Sequence, residues 1–375
     1  MHVAQLNLIR APQNRDPEEV LQDWHSLPDI AESVASAGVR VSVIQSAAYS
    51  HRMTRNDIDY YFVQTRPAGS ADQRSAGYAR LLSEIGAELL HVHGLGFADE
   101  VYALSRRLPK LPILLQDHAD RPPRWWRRRR WRRGLSAAAG VAFTALDQAQ
   151  PFVSAGLLDR RTRLFAIAES PSRFTPGDKA SARRASGLFG DPCLLWVGHL
   201  NPGKDPMAVL DGVAAAVRQL PGLQLWCCYA SAALLEAMRR RIDRDPLLAG
   251  RVHLLGRVAH AQVQELMRAA DLFVLGSHAE SCGYAVMEAL ACGVTPVVTD
   301  IPSFRALTGD GRYGQLWPCG DSAQLAQRLI LAVSQPLDPA ALRAHFDATL
   351  SLSAVGRRWA EAYAQMLACA GTARR

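Results

Sequence analysis

The chain has 375 residues, 49% of them hydrophobic and 21% charged, enough for two domains of ordinary size. No stretch reaches the roughly 18 uninterrupted apolar residues of a membrane span, and the N-terminus lacks the basic region and apolar block of a signal peptide, so a cytosolic location is expected. The formal net charge is +8, yet eight arginines fall within the thirteen residues Arg121 to Arg133, and the remainder balances to neutrality.

Seven cysteines are present, Cys193, Cys227, Cys228, Cys282, Cys292, Cys319 and Cys369. Their odd number and the absence of C-x-x-C spacing argue against a disulfide framework or a zinc site. They are expected to be buried, reduced thiols.

Strand and helix patterns alternate along the chain, which indicates a parallel α/β architecture. His2 to Ile9 reads as a strand. A helix from Leu27 to Ala37 follows, with apolar residues Leu27, Ile30, Ala31, Val34 and Ala35 on one face. Gly38 stands where a left-handed helix cap belongs, and Val39 to Ile44 is the next strand. Leu89 to His93, Pro112 to Gln116, Val141 to Thr144 and Arg163 to Ile167 continue the pattern, with a helix near Asp99 to Arg107. Residues Ser170 to Asp191 are rich in Pro, Gly, Ser and Arg and read as a linker.

The second half begins afresh at Leu194 to Val197. Further strands are expected at Leu223 to Cys228, Val252 to Leu255, Leu272 to Leu275 and Pro296 to Thr299, with helices between them. The predicted fold is therefore α/β, with two Rossmann-like, doubly wound domains facing across a cleft, where ligands usually bind. The expected domains are residues 1–172 and 190–350, and a last helix near Ala354 to Leu367, within 354–368, has Tyr363, Met366 and Leu367 on its apolar side.

The segment Ser277 to Gly293 carries the most chemistry. A strand ends at Leu275, a short loop holds Glu280, and a helix starting near Gly283 carries Glu288 on its second turn. The amides and dipole at a helix N-terminus suit a diphosphate, and Gly283 lets a ligand approach the backbone. A loop carboxylate can accept hydrogen bonds from sugar hydroxyls, and one on the helix can accept them from a ribose.

These residues resemble the two-glutamate signature of retaining glycosyltransferase family 4 (glycosyl transferases group 1, of the GT-B fold), with seven residues between the glutamates. Val252 to Val258 resembles the segment whose backbone holds the nucleotide base, Ala269 to Val274 the strand before the signature, Gly293 to Asp300 the turn and strand after it, and Trp317 to Asp321 the closing loop. Val197 to Asp205 resembles the first phosphate-contacting loop. There Lys204 matches the family's lysine, while His199 stands where an arginine is usual. The loop after the first strand, Arg10 to Pro17, lacks the family's glycines.

The resemblance implies transfer of a hexose from a UDP- or GDP-linked sugar, with retention, to a glycan, lipid-linked sugar or small hydroxylated acceptor. It assigns donor binding to Gly198, His199, Lys204, Gly256, Arg257, Val258, Glu280, Ser281, Cys282, Gly283, Tyr284 and Glu288. Catalytic roles go to His118, Glu280 and Lys204, and an acceptor-side role to His93. His93 and His118 end or follow strands that resemble the family's histidine-terminated strands. No D-x-D motif lies in a plausible loop, so neither a metal nor a separate cofactor is expected. Gly94, Gly96 and Asp117 half-fit a dinucleotide fingerprint, but Asp99 occupies its third glycine position.

The Arg121–Arg133 segment contains Trp125, Trp126 and Trp131, and its prolines place a helix start just after Pro123. Three roles fit it: contact with an anionic membrane surface, as a peripheral protein; a solvated basic helix; or nucleic-acid binding, the weakest since nothing else supports it. A non-catalytic binding protein acting through this segment is the alternative to the enzyme.

Overall fold

The computed structural model describes residues 1–65, 68–159 and 162–372. It divides into two compact units, one formed by residues 1–171 with the chain from Leu352 onward, the other by Ser172–Ser351.

In the first unit the strands are β1 (His2–Asn7), β2 (Arg40–Ala47), β3 (His51–Arg55), β4 (Ile58–Gln64), β5 (Leu89–His93), β6 (Ile113–Gln116), β7 (Gly140–Phe143) and β8 (Arg163–Ala166). They form one sheet in the order β3-β4-β2-β1-β5-β6-β7-β8. All neighbours are parallel except β3 and β4. The central strands β1 and β5 are buried along their whole length, as expected for a parallel sheet covered on both faces. The β3–β4 hairpin interrupts the parallel alternation read from the sequence. Asn56 and Asp57, both at positive φ (50° and 60°), make its tight turn.

Register sets the functional edge of this sheet. Asn7 of β1 lies beside His93 of β5, and His93 beside Gln116 of β6. Chain order reverses between β1 and β5, the switch point at which parallel sheets open a crevice. The helix Leu352–Thr372 packs on the helix Ser26–Ser36. Gly356 makes the approach possible, since a Cβ there would lie 1.9 Å from the Ser33 carbonyl oxygen. Trp359 and Tyr363 of the last helix are fully buried, and the Tyr363 hydroxyl is 2.8 Å from His91 Nδ1.

The second unit holds β9 (Cys193–Gly198), β10 (Gln224–Tyr229), β11 (Val252–Gly256), β12 (Leu272–Leu275), β13 (Thr295–Thr299) and β14 (Gln315–Trp317). Their order is β11-β10-β9-β12-β13-β14, all parallel, with the switch point between β9 and β12.

The expected linker, Ser170 to Asp191, belongs to this unit from Ser172 onward. It contains the helix Lys179–Ser186, begun by the Asp178 cap and ended by left-handed Gly187. Lys179 and Arg183 pair with Asp271 at 2.8 and 2.6 Å. Although burial works against its charge, Asp271 is held below the usual carboxylate range by the Cys193 amide and these two cations. Polar composition suggested a linker because this helix buries only Ala182 and otherwise carries mostly polar residues, of which Lys179 and Arg183 pair with Asp271.

The arginine-rich helix also differs from expectation. A 3-10 turn covers Trp125–Arg127, and the α-helix runs only from Arg128 to Leu135. Four successive arginines crowd an end where the helix dipole is already positive, which disfavours an earlier start. No helix among the described residues is long and apolar enough to cross a membrane.

Candidate functional site

In the second unit, the loops after β9 and β12 leave adjacent strands at the switch point. Leu194 and Leu195 of β9 lie beside Leu272 and Phe273 of β12. Gly276 allows the loops to touch, because a Cβ there would lie 3.0 Å from the Asp205 carbonyl oxygen and 3.2 Å from that of Lys204. The His278 amide donates to the Gly203 carbonyl at 2.9 Å, and the His278 ring Nε2 lies 2.8 Å from Asp205 Oδ2.

The β9 loop is shaped by its own capping groups. Asn201 accepts from the Lys204 amide at 3.1 Å, closing the 3-10 turn Pro202–Lys204. Asp205 sits at φ 39° and caps the helix Pro206–Ala216. This conformation directs the half-buried Lys204 ammonium to Glu280 Oε1, with which it forms an ion pair. Ser277, fully buried, donates its hydroxyl to the same oxygen at 2.6 Å. Glu280 is thus held by a cation and a hydroxyl on the loop edge. His199 is exposed just beyond the end of β9.

Gly283 opens the helix Tyr284–Ala291 at φ 101°. A Cβ there would lie 2.5 Å from Phe304 Cε1, so both conformation and space require glycine. Cys282 is buried, while Ser281 and Tyr284 are half-buried at the helix mouth. Glu288 is 7% exposed, and its Oε1 lies 2.7 Å from Nε2 of His260, the first residue of the helix His260–Ala269. Gly256, at φ 74°, turns the chain out of β11 and is followed by exposed Arg257 and half-buried Val258. The donor residues expected from the sequence, Gly198 to Lys204, Gly256 to Val258, and Glu280 to Glu288, therefore follow three parallel strands of one sheet at their C-terminal ends. Ser277 and His260 were not anticipated. Ser277 carried a signal, as a polar residue closing an apolar strand, whereas nothing local marks His260.

The first unit has its own polar cluster at its switch point. His118 Nδ1 donates to Glu169 Oε1 at 2.6 Å, and His118 Nε2 lies 3.2 Å from His93 Nδ1. Gln116 Nε2 donates to the Glu169 carbonyl at 2.8 Å, tying the segment after β8 to β6. Burial opposes charge on His118, but the Glu169 carboxylate, with Asp117 and Asp120, outweighs it and raises the imidazole pKa. His93 is driven well below its ordinary value by burial and by His91 and His118, so it is the neutral member. Burial and the Asp120 charge push Asp117 up to about 7. A cavity of about 230 Å³ opens beside these histidines, lined on its apolar side by Ile9, Trp24 and Leu27 and on its polar side by Asn7, His93 and His118. Glu169 was missed, although it follows β8 by three residues, in the same strand-end position that singled out His118.

The segment that half-fits a dinucleotide fingerprint is occupied from within. The Leu95 amide donates to Asp120 Oδ2 at 2.7 Å, and Asp99 is paired with Arg130. An amide needed for a pyrophosphate is thus already bound to a carboxylate.

Residues 191–335 match the family model of glycosyl transferases group 1. A D-inositol 3-phosphate glycosyltransferase of Geodermatophilus obscurus is 34% identical over 213 residues, 54% of this chain and 47% of the relative. One from Thermobispora bispora is 31% identical over 205 residues, 52% of this chain and 48% of that protein. The chain thus spans about half the length of these curated relatives. A solved glycosyltransferase from Rickettsia africae superposes with a TM-score of 0.74 at 12% identity, covering 98% of both chains. Anabaena HepE in complex with UDP gives 0.73 at 18% identity, covering 97% of this chain and all of that one. Such likeness establishes the two-sheet GT-B fold.

Proposed function

From the match of residues 191–335 to the family model of glycosyl transferases group 1, we infer that the protein transfers a hexose, with retention, from a UDP- or GDP-linked sugar to a hydroxyl of a glycan, a lipid-linked sugar or a small hydroxylated acceptor. The observation that carries this is the joining of the β9 and β12 loops at the switch point, with Lys204 on one, Glu280 on the other, and Glu288 on the helix that follows.

Each residue has a defined task. The bond between the anomeric carbon and the leaving phosphate breaks as the acceptor oxygen bonds to the same face, and the departing phosphate takes the acceptor's proton. Negative charge grows on the diphosphate, and Lys204 with the first turn of the helix after Gly283 stabilises it. Glu280, already fixed by Lys204 and Ser277, accepts hydrogen bonds from sugar hydroxyls. Glu288, oriented by His260, accepts them from the ribose. The turn at Gly256 to Val258 presents backbone to the base. His118, with its raised pKa, donates to the transferred sugar, and His93 serves the acceptor side. Lys204 and the helix supply the positive charge, so the reaction proceeds without a metal ion. The protein is assigned to the cytosol as part of the same proposal.

Thermal shift against UDP, GDP, ADP and their hexose conjugates tests the proposal. One nucleotide is expected to raise the melting temperature of the wild type and not of Glu288→Ala. Absence of any shift at millimolar nucleotide would overturn donor binding. Turnover that EDTA abolishes and a divalent ion restores would overturn metal independence. The names of the curated relatives make a phosphorylated cyclitol one acceptor to include when products are analysed.

A further inference from the structure

The arginine–tryptophan segment lies between β6 and β7, and the fold sorts its residues into two groups. The inner group fixes the helix Arg128–Leu135 to the body of the unit. Leu135 is fully buried, and Trp131 packs, partly buried, against the hydrophobic core. At Gly134 an added Cβ would lie 2.0 Å from the Ala98 carbonyl oxygen, so this helix presses directly on the helix Ala98–Arg107. Arg130 pairs with Asp99, Arg132 Nε donates to the Gly156 carbonyl at 2.6 Å, and the Arg133 guanidinium lies 4.6 Å from the centre of the Tyr102 ring.

The outer group serves no such purpose. Trp125 is 76% exposed and Trp126 54%. Arg121, Arg127, Arg128 and Arg129 are exposed around them. Two adjacent indoles held in water on a short rigid turn are disfavoured unless something covers them. Their setting specifies what that is. A ring of arginines excludes an apolar protein surface or a basic partner. The two indoles meet edge to face, 5.7 Å apart at 88°, and the Arg124 guanidinium lies 5.3 Å from the centre of the Trp126 ring, so they form no open ladder for stacked bases. Indoles flanked by arginines match the boundary of an anionic bilayer, where the ring enters the headgroup layer and the guanidinium groups meet lipid phosphates.

We propose that the turn Trp125–Arg127, with Arg121, Arg128 and Arg129, is a seat for an anionic lipid surface. The inner contacts make it a rigid part of the first unit. This surface is independent of the donor site, so either can fail without the other.

Sedimentation of the full chain with vesicles tests it, using phosphatidylcholine alone and phosphatidylcholine containing about one-third phosphatidylserine. The wild type is expected to bind the anionic vesicles, to release as salt is raised, and to leave neutral vesicles unbound. The triple variant Arg127→Gln/Arg128→Gln/Arg129→Gln is expected to lose roughly a hundred-fold in partition, at about five-fold per arginine. Trp125→Ser/Trp126→Ser should bind about ten-fold more weakly and lose the blue shift in tryptophan emission that vesicles induce in the wild type. Because these side chains are exposed, both variants should keep the wild-type melting temperature and its shift with nucleotide. Equal binding to neutral vesicles, failure to bind anionic ones, or a single-stranded RNA that displaces the protein from vesicles through the same residues would overturn the proposal.

Discussion

Replacing Glu288 with alanine tests the donor site most directly. The carboxylate is nearly buried and fixed by His260 at 2.7 Å, so its desolvation and orientation are complete before any nucleotide arrives. Two ribose hydroxyls donating to it would make charge-assisted hydrogen bonds, each contributing about 1.5 kcal/mol at the low end of their range. Losing both amounts to about 3 kcal/mol, or roughly a hundred-fold in Kd. Glu288→Gln keeps the shape and one acceptor oxygen and should lose about ten-fold, since neutral hydrogen bonds are weaker than charged ones. Isothermal titration calorimetry with the nucleoside diphosphate reads both changes, and melting curves without nucleotide check that each variant is folded. Glu236→Ala, on the exposed face of the helix Leu235–Asp243, serves as the control and should bind as the wild type does. A Glu288→Ala protein that melts normally and binds within about three-fold of the wild type would refute the ribose role.

Other perturbations address the first unit. Glu169→Gln removes the charge that raises the His118 pKa. The imidazole should then titrate at lower pH by NMR, and the alkaline limb of any turnover profile that needs protonated His118 should move down with it; an unchanged His118 titration would contradict the coupling. The Asp117 carboxyl is raised from 3.8 to about 7 by burial and the Asp120 charge. Its contribution to stability is therefore fully present below the unfolded value and lost as pH rises through about 7. Asp117→Asn should flatten the decline in melting temperature over that window, and a parallel decline in both proteins would count against it. Gly134→Ala sets a methyl against the Ala98 backbone oxygen, which cannot yield as a side chain could. A loss of about 1–3 kcal/mol is expected, and an unaltered melting temperature would show that the two helices can separate.

Local pattern was enough for much of this molecule. The apolar runs of β9 and β12 are legible because strands buried on both faces leave near-continuous hydrophobic stretches. The passage from β12 through Glu280 to the helix carrying Glu288 is legible because strand, loop and helix start lie within one short segment. Gly38 and Gly283 are legible because a positive φ has few alternatives to glycine. The limits of local pattern are equally specific. The β3–β4 hairpin is exposed on much of β3 and lacks the buried run that marks the central strands. The helix Lys179–Ser186 buries only Ala182 and is otherwise mostly polar, which composition scores as linker.

The partners of the functional groups were decided by tertiary structure alone. Lys204 meets Glu280 because β9 and β12 are neighbours at the switch point, although 76 residues separate the two side chains. His118 meets Glu169 because β6, β7 and β8 lie in succession and Gln116 fastens the segment after β8 to the end of β6. The same holds for the arginines. Sequence gives eight in thirteen residues, but only the packing of Gly134 on Ala98 divides those spent on holding the helix from those left facing outward. Periodicity reports which face of an element is buried. Which two faces meet depends on sheet order and register, and those are properties of the whole chain.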